Sequence, residues 1–545
     1  MVAGGVASLA MVPVIAIAVL ALQGSGEVLG HLVVTVLPVA FRNTVLLLAG
    51  VCALVILIGT GAAWLVTAYD FPGRRIVSWA LLLPLAIPTY IIAYAYLDLL
   101  HPIGPVQTMI RSVLGFSSPQ QLRLPDIRSI AGCIILLSFV LYPYVYVTAR
   151  AMFLMQAASF IDVSRTLGVG RHAVFWRVAL PLARPAIAVG AGLALMETIN
   201  DIGASEFLGV RTLTVSIYST WINSTNLPGA AQIALLMLII VTALAAVERW
   251  ARNKQRYTNS AMKPSRLLAQ RLPLLPGLIA LVLCAIPITI GFAAPFAYLV
   301  AAAAKRVQFG GPSWQYVSHA SNTIGFALLA TVITMLAGVI VGYAGRVSPG
   351  AITRFSLRGS TLGYAMPGTV IAIGVLFPLA ALDRAIDGVS NDLFGAAPGL
   401  VLIGSGAAVL YAYAVRFLAI SIGNVESGLS RISLSLDSAA RTLGETAGGT
   451  LRRIHLPLLK PALAAAALLL FVDCVKELPA TLLLRPLNFE TLATALYAEA
   501  ARGTYEEGAL YALTIVVIGI IPLMVLSRVG IAASEPSALR KVHGD

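Results

Sequence analysis

Twelve apolar segments recur along the chain, and they constrain the fold more than any other feature. Each approaches or exceeds the roughly 18 to 20 residues that a helix needs to cross a bilayer. Charged residues make up only 11% of the 545 residues, against about 25% in soluble proteins. The sequence therefore predicts an all-α integral membrane protein with about twelve transmembrane helices. The predicted spans are 6–23, 44–68, 77–100, 129–149, 182–205, 230–248, 274–298, 321–344, 361–382, 398–420, 458–482 and 508–528.

Basic residues are concentrated between the sixth and seventh spans and give much of the net charge of +14. Residues 250–272 form a basic linker, whereas residues 383–397 contain three aspartates and one arginine. Cytoplasmic loops of membrane proteins are enriched in Lys and Arg. We therefore expect the linker and both termini on the cytoplasmic side of a bacterial inner (plasma) membrane, with the first span retained as a helix. Because this bias of cytoplasmic loops explains the positive charge, membrane lipid is an expected partner and nucleic acid is not.

Self-comparison reveals an internal repeat. The tetrapeptide Arg-Thr-Leu-Gly occurs at 165–168 and again at 441–444, and nearer the start of each half Pro88 matches Pro367 at a slightly longer offset. Repeats commonly define the architecture of membrane transporters, so we predict two six-helix permease repeats, 1–249 and 273–545, joined by the linker. Six crossings per repeat make the repeats parallel, and a transport pathway is expected along the pseudo-twofold axis that relates them.

Two cytoplasmic loops carry the strongest repeated pattern, at 162–186 and 438–462. Each has a short helical stretch, a glycine that can adopt positive φ, a second amphipathic stretch, and a Leu-Pro pair suited to the first turn of a helix. The glycine and the proline are thirteen residues apart in both loops, as a rigid element that binds a partner would require. The candidate residues are Asp162, Ser164, Gly168, Phe175, Trp176 and Pro181 in the first loop, and Ser438, Ala439, Ala440, Gly444 and Pro457 in the second.

The sequence offers no means of hydrolysing ATP. It contains no G-x-x-x-x-G-K-[ST] motif and no Gly-Lys pair, so any ATP hydrolysis must be performed by another polypeptide. The six histidines form no H-E-x-x-H motif, and no catalytic residues are predicted. We expect a transport subunit rather than an enzyme. An alternative interpretation of the two loops stays open: they could bind no partner and instead form interfacial helices that rest on the inner leaflet.

Acidic residues lie inside the apolar segments that follow each loop. Glu197 and Asp201 are four residues apart, as are Asp473 and Glu477, and the two pairs match at the offset that relates the two tetrapeptides. The spacing within each pair predicts one helical face. A carboxylate facing lipid at the bilayer centre costs up to about 3 kcal/mol, so we expect these acids to face water, each other or a cation.

Two interpretations of the acids are open. In the first, they fix helix packing through hydrogen bonds to neighbouring helices or to Lys476. In the second, they line the axial pathway and transiently ligate a hard cation through their oxygens. The predicted pathway residues are Glu197, Asp201, Glu206, Asp473, Lys476 and Glu477, and the predicted metal ligands are Glu197, Asp201, Asp473 and Glu477.

The duplicated loops resemble the EAA loop of ATP-binding-cassette (ABC) importer permeases, whose pattern is Glu-Ala-Ala, three residues, Gly, and a Pro thirteen residues later. Residues 438–440 and Gly444 follow this pattern with Ser in place of Glu, and residues 162–164 with Gly168 follow it more loosely. In that family the loop forms the helices that bind the ATPase subunits. The resemblance implies the type I ABC importer permease fold.

The runs 196–223 and 471–497 are similar to the matching segments of fused twelve-helix permeases of binding-protein-dependent ferric iron importers, and the resemblance covers essentially the whole chain. It implies Fe3+ delivered by a periplasmic or lipid-anchored binding protein and moved by alternating access. It also implies a homodimeric ATPase that uses ATP and Mg2+, with no cofactor bound by this chain. Near relatives handle thiamine and phosphonate compounds, so those cargoes stay open. An ion-coupled secondary transporter is a further alternative, although it would not need the duplicated loops.

Overall fold

The computed structural model describes residues 2–23, 30, 32–155, 171–253, 269–311, 313–348 and 350–534. Within these ranges the chain is almost entirely helical, and the only strands are Tyr69–Asp70 and Gln270–Arg271, which pair in parallel with Tyr69 opposite Gln270. The α-helices are Val2–Gln23, Leu37–Ala68, Arg74–Ala80, Thr89–Leu99, Pro105–Leu114, Ile130–Met155, Arg171–Val174, Leu180–Asn200, Gly203–Phe207, Leu213–Ile222, Leu227–Asn253, Leu274–Ile288, Ala294–Gly310, Trp314–Val347, Ala351–Ser360, Leu362–Ala365, Gly368–Phe394, Ala407–Ser430, Leu434–Thr442, Ala447–Thr450, Leu456–Val475, Pro479–Leu484, Leu492–Arg502 and Tyr505–Ser534. A 3-10 helix spans Leu83–Ala86, and π-helical turns span Leu32–Val36, Phe175–Ala179, Thr289–Ala293 and Leu451–His455.

The described part of the chain supplies the membrane spans that hydropathy predicts. Eleven helices are long and apolar enough to cross a membrane, and Arg74–Ala86 with Thr89–Leu99 form a twelfth candidate that bends by 94°. The prediction of an all-α integral membrane protein is confirmed. The predicted span 77–100 differs in being broken before Pro88, because proline lacks an N–H and disfavours helical geometry at the preceding residue. Accordingly, Ile87 is extended, with φ −101° and ψ 117°.

The chain packs as two compact units, and each draws on both predicted repeats. Unit 1 comprises Met1–Phe41, Arg211–Thr242 and Gly310–Ala498. Unit 2 comprises Arg42–Val210, Ala243–Phe309 and Glu499–Asp545. The boundaries 1–249 and 273–545 therefore describe halves of the sequence, whereas the segments of the two compact units alternate along the sequence.

In unit 1 the first helix, Val2–Gln23, packs against Gly368–Phe394 from the second half of the sequence. Gly374 makes this approach possible, since a Cβ there would lie only 2.4 Å from the Pro13 carbonyl oxygen. Trp314–Val347 packs against Ala407–Ser430. At that contact a Cβ on Gly338 would lie 1.9 Å from the Ser421 hydroxyl oxygen, so the missing side chain sets the helix spacing.

In unit 2, likewise, a helix from one half of the sequence packs against the other half. Ile130–Met155 packs against Leu180–Asn200, and the first long span of the second half packs against segments of the first half. The Tyr96 hydroxyl donates to the Ile290 carbonyl at 2.8 Å, and a Cβ on Gly291 would lie 2.2 Å from the Phe139 carbonyl oxygen. The first span of each sequence half therefore packs in the unit formed mainly by the other half.

Candidate functional site

The second acid of each predicted pair lies where its membrane helix ends. Leu180–Asn200 stops one residue before Asp201, and Leu456–Val475 stops two residues before Glu477. A short helix follows each break. The prediction that each pair shares one face of a continuous helix is therefore wrong. The physical reason is that an acidic side chain can bind backbone N–H groups of the next turn in a non-helical conformation.

Asp201 is buried and caps the short helix that follows it. Its Oδ2 accepts hydrogen bonds from the Ser205 backbone N–H at 2.8 Å and the Ser205 hydroxyl at 2.9 Å. Its Oδ1 accepts from the Ala204 N–H at 3.4 Å and from the Thr89 hydroxyl at 2.6 Å. Four donors thus satisfy the carboxylate without a cation.

Glu477 repeats this arrangement in unit 1. Its Oε2 accepts from the Thr481 N–H at 3.0 Å and the Thr481 hydroxyl at 2.6 Å. Its Oε1 accepts from the Ala480 N–H at 2.9 Å and from Arg416 Nη1 at 2.7 Å. Ser205 and Thr481 occupy equivalent positions of the sequence repeat, so the local structure repeats along with the sequence.

The two carboxylates differ in one donor, and a glycine explains the difference. Thr89 and Gly368 are equivalent in the repeat, and each follows a proline of nearly the same conformation: Pro88 has φ −56° and ψ 146°, and Pro367 has φ −57° and ψ 146°. A Cβ on Gly368 would lie 2.2 Å from Arg416 Nη1. The missing side chain therefore leaves room for the guanidinium, which replaces the threonine hydroxyl.

The other predicted pathway residues are only partly buried. Asp473 Oδ1 forms an ion pair with Lys476 Nζ at 2.8 Å. Glu197 and Glu206 are also partly buried. Among the residues that the structure describes, no three side chains of His, Cys, Asp or Glu lie close enough together to hold a metal ion. Cation ligation by the four acids stays a prediction, whereas the hydrogen bonds of Asp201 and Glu477 fit the helix-packing interpretation.

The second loop has the predicted helix–glycine–helix form. Leu434–Thr442 is a helix on which Ser438 and Ala439 are exposed and Ala440 is buried. Gly444 adopts φ 83°, and the Thr446 hydroxyl caps the next helix by accepting from the Gly449 N–H at 3.1 Å. The predicted use of glycine for a turn with positive φ is confirmed at this position.

The prolines of the two loops, Pro181 and Pro457, lie in the first turn of the α-helices Leu180–Asn200 and Leu456–Val475, as predicted. Helical structure nevertheless runs without a break from Ala447 to Val475, so the membrane helix continues directly from the second loop. A π-helical turn, Leu451–His455, lies just before the proline and shifts the hydrogen-bond register. The first loop has the same turn at Phe175–Ala179, before Pro181. Asp162, Ser164 and Gly168 lie outside the described residues.

An arginine anchors the second loop to the membrane helices. Arg346 Nε lies 3.3 Å and 3.2 Å from the two carboxylate oxygens of Asp437, and its Nη2 donates to the Ile432 carbonyl at 3.0 Å. This hydrogen bonding holds the pKa of Asp437 below its usual range. His455 Nε2 lies 3.2 Å from Asp437 Oδ1. The sequence analysis did not identify this cluster, because Arg346 and Asp437 lie 91 residues apart in the chain.

An aromatic cluster anchors the first loop in unit 2. The Phe175 ring lies 5.1 Å from the Trp64 ring, and Trp64 also contacts Phe153 at 5.4 Å. Phe175 is thus held against the membrane helices. Trp176 is 55% exposed, although its ring lies 5.1 Å from that of Phe175. Of the two aromatic residues predicted to bind a partner, Trp176 is the more accessible.

Comparison with known proteins places this architecture among transport proteins. A sequence profile described as "Binding-protein-dependent transport system inner membrane component" matches residues 55–257 and 335–540. Fe(3+)-transport system permease protein FbpB 2 of Haemophilus influenzae is 24% identical over 489 residues, 89% of each chain. Putative 2-aminoethylphosphonate transport system permease protein PhnV of Salmonella typhimurium is 29% identical over 219 residues, 40% of this chain and 76% of that protein. A probable molybdenum ABC transporter permease protein of Haloferax volcanii is 30% identical over 198 residues, 36% of this chain and 68% of that protein. The profile matches twice, once in each sequence half, as the internal repeat predicts.

Proposed function

Because the chain belongs to the family of binding-protein-dependent transport system inner membrane components, we propose that it imports ferric iron from a periplasmic or lipid-anchored binding protein. It is an ABC transporter permease that crosses the inner membrane many times. As a transport subunit it supplies the pathway and leaves ATP hydrolysis to a separate chain. In this proposal that chain is a homodimeric ATPase, which binds ATP and Mg2+.

The observation that carries the iron assignment is the full-length similarity to an Fe(3+)-transport permease, which covers 89% of both chains. The phosphonate and molybdenum permeases match only 40% and 36% of this chain. Their identity is higher over the shorter match, at 29% and 30%. The phosphonate permease covers more of this chain than the molybdenum permease, so a phosphonate is the second candidate cargo. Because this chain contains two permease repeats, and the iron permease matches across both of them, iron is favoured over a phosphonate and over molybdenum.

We infer that the Leu434–Thr442 helix docks on the ATPase. Leu434 is 70% exposed and Leu443 is 84% exposed, so the loop offers apolar side chains that a partner could cover. Arg346 and Asp437 hold the same helix against the membrane helices. The first loop would dock in the same way through Trp176 and through Asp162, Ser164 and Gly168.

A rigid connection links this docking helix to the carboxylate break. The helical segment Ala447–Val475 has 29 residues, which corresponds to about 43 Å at about 1.5 Å per residue. One end lies beside Gly444 and the other beside Glu477. A displacement of the loop would therefore move the helix break, as alternating access requires. The proposed orientation has the loops, the basic linker and both termini in the cytoplasm.

The proposal is tested by purifying the tagged permease from its own membranes together with its partners. We expect a nucleotide-hydrolysing subunit to copurify, and the isolated external binding protein to contain Fe3+ by elemental analysis and optical spectroscopy. A binding protein that holds a phosphonate and no metal would contradict the iron assignment. Transport by the permease alone, driven by an ion gradient, would contradict the ATP-driven mechanism.

A further inference from the structure

Two tyrosines at equivalent positions of the sequence repeat contact each other in unit 1. The offset from Tyr218 to Tyr497 is the same as the offset from Pro88 to Pro367. The ring centroids of the two tyrosines lie 6.4 Å apart with an interplanar angle of 78°. We propose that this pair lies on the twofold axis of the repeat and forms a constriction through which the cargo passes. The inference rests on the proposed import function.

The equivalence of the two tyrosines is structural as well as sequential. The helices Leu213–Ile222 and Leu492–Arg502 each begin directly after a threonine, Thr212 or Thr491. The Thr212 hydroxyl accepts from the backbone N–H of residue 215 at 3.3 Å, and the Thr491 hydroxyl accepts from that of residue 494 at 3.3 Å. Each tyrosine then lies six residues after its threonine. The two side chains therefore occupy the same position on two related helices.

Contact between equivalent residues locates the symmetry axis. A twofold rotation moves a side chain onto its equivalent, so the two can touch only where both lie close to the axis. In a transporter built from two parallel repeats, the cargo passes between the repeats along that axis. The ring contact between Tyr218 and Tyr497 thus marks a point on the expected pathway. Neither the i,i+4 spacing of the acids nor hydropathy could identify this point.

The chemistry of the pair suits a gate. Both tyrosines are partly buried, and their edge-to-face contact is a weak interaction that can be broken in each transport cycle. A phenolic hydroxyl both donates and accepts hydrogen bonds, so it can contact a hydrated ion or an oxygen-ligated ion. Beside the pair, Arg485 forms an ion pair with Glu490 and interacts electrostatically with Tyr218. Since Glu490 balances this arginine, the surroundings need not repel a cation.

Chemical crosslinking tests the contact and its role together. The four native cysteines are replaced by alanine, Tyr218→Cys and Tyr497→Cys are introduced, and a protease site is inserted in the linker 250–272. Methanethiosulfonate crosslinkers of graded length then join the two positions, and cleavage of the linker reports the crosslink on a gel. The treated protein is reconstituted with its ATPase and its binding protein for uptake of radioactive Fe3+.

We expect the short crosslinkers to join the two halves and to lower ATP-dependent uptake by at least about 10-fold, with recovery after reduction. Each single-cysteine variant, treated in the same way, is the matched control and should keep its uptake. Full uptake by the crosslinked protein, or no crosslink with any short reagent, would overturn the inference. If the wild-type protein, reconstituted in the same way, imports no Fe3+, the proposed function has failed instead, whereas crosslinking still tests the contact.

A second measurement keeps the inference testable if the double variant is inactive before crosslinking. Each single-cysteine variant is labelled with a small thiol reagent during turnover, with and without Fe3+-loaded binding protein. Cargo in the constriction should slow labelling of residues 218 and 497 several-fold. Identical labelling rates with and without cargo would overturn the gate role.

Discussion

Replacing Arg416 by methionine is expected to destabilise unit 1 by about 3 to 5 kcal/mol. The side chain of Glu477 is 1% exposed and that of Arg416 is 13% exposed, and their closest atoms are 2.7 Å apart. Methionine keeps much of the volume but removes the charge. The variant therefore leaves a carboxylate buried without its counter-charge, and breaking one partner of a buried ion pair costs about 3 to 5 kcal/mol. Three remaining donors, from Ala480 and Thr481, place the expected value at the lower end of that range.

The equivalent site in the first half of the sequence indicates which substitutions should restore the stability of Arg416→Met. Asp201 receives a hydroxyl from Thr89 where Glu477 receives the guanidinium. A triple variant, Gly368→Thr, Arg416→Met and Glu477→Asp, copies that arrangement. The shorter acid is needed because a Cβ on Gly368 would lie 2.7 Å from Glu477 Oε1. A hydrogen bond to a charged group contributes about 1.5 to 3 kcal/mol, so the triple variant should recover about half of the loss.

The assay is unfolding of the purified permease in mixed detergent micelles with increasing dodecyl sulfate, followed by near-ultraviolet circular dichroism. Thr89→Val is the matched control in unit 2, where it removes only the hydroxyl and should cost about 1.5 to 3 kcal/mol. A stability of Arg416→Met within about 0.5 kcal/mol of wild type would refute the claim that the guanidinium compensates the buried carboxylate. A triple variant less stable than Arg416→Met would refute the proposed equivalence of Thr89 and Gly368.

Three further predictions concern the loops. Gly444→Ile should abolish ATP-dependent uptake while leaving membrane insertion intact, because a β-branched residue strongly disfavours φ 83°. The control is Gly448→Ile, where a Cβ also meets nothing within 4 Å, and this variant should retain activity. Loss of uptake in both variants would contradict the claim that Gly444 is needed for the turn. Asp437→Asn should lower hydrogen-exchange protection of Leu434–Thr442 on the order of 10-fold at pH 7. Since the pKa of Asp437 is lowered, the wild-type protein should keep this protection above about pH 4 and lose it only as the pH falls through the lowered pKa. Loss of protection already at about pH 6 would contradict the claim that the ionised Asp437 carboxylate holds the helix. Trp64→Ala should lower the thermal midpoint by removing the aromatic contact with Phe175, and unchanged melting and ATPase binding would show that the cluster does not hold the first loop.

The twelve spans could be predicted because hydropathy over a helix length is a property of single segments. The packing partners of the spans could not, because apolar runs of similar composition do not specify which helix they contact. Val2–Gln23 packs with the second half of the sequence, and no signal in its residues indicates this. The cluster of Arg346 and Asp437 joins positions 91 residues apart, so it also depends on the tertiary fold.

The position of the acids can be predicted more accurately than their surroundings. Their place within apolar segments and their match between the two repeats follow from the sequence, but the helix break before Glu477 does not follow from i,i+4 spacing. Pro479 is the available signal, since a proline restricts the residue before it and commonly begins a new helix. The tyrosine pair also has a signal, the repeated Thr-Leu-x-x-x-x-Tyr at 212–218 and 491–497. That repeat is visible in the sequence, whereas the contact requires the structure.

Uptake of radioactive Fe3+ into proteoliposomes tests the central claim most directly. The vesicles would contain the permease, the purified ATPase inside and the iron-loaded binding protein outside. Iron should accumulate only when ATP, Mg2+ and all three proteins are present, and a hydrolysis-deficient ATPase should stop accumulation. Iron accumulation without the ATPase, or ATP-driven accumulation of a phosphonate with no accumulation of iron, would contradict the account.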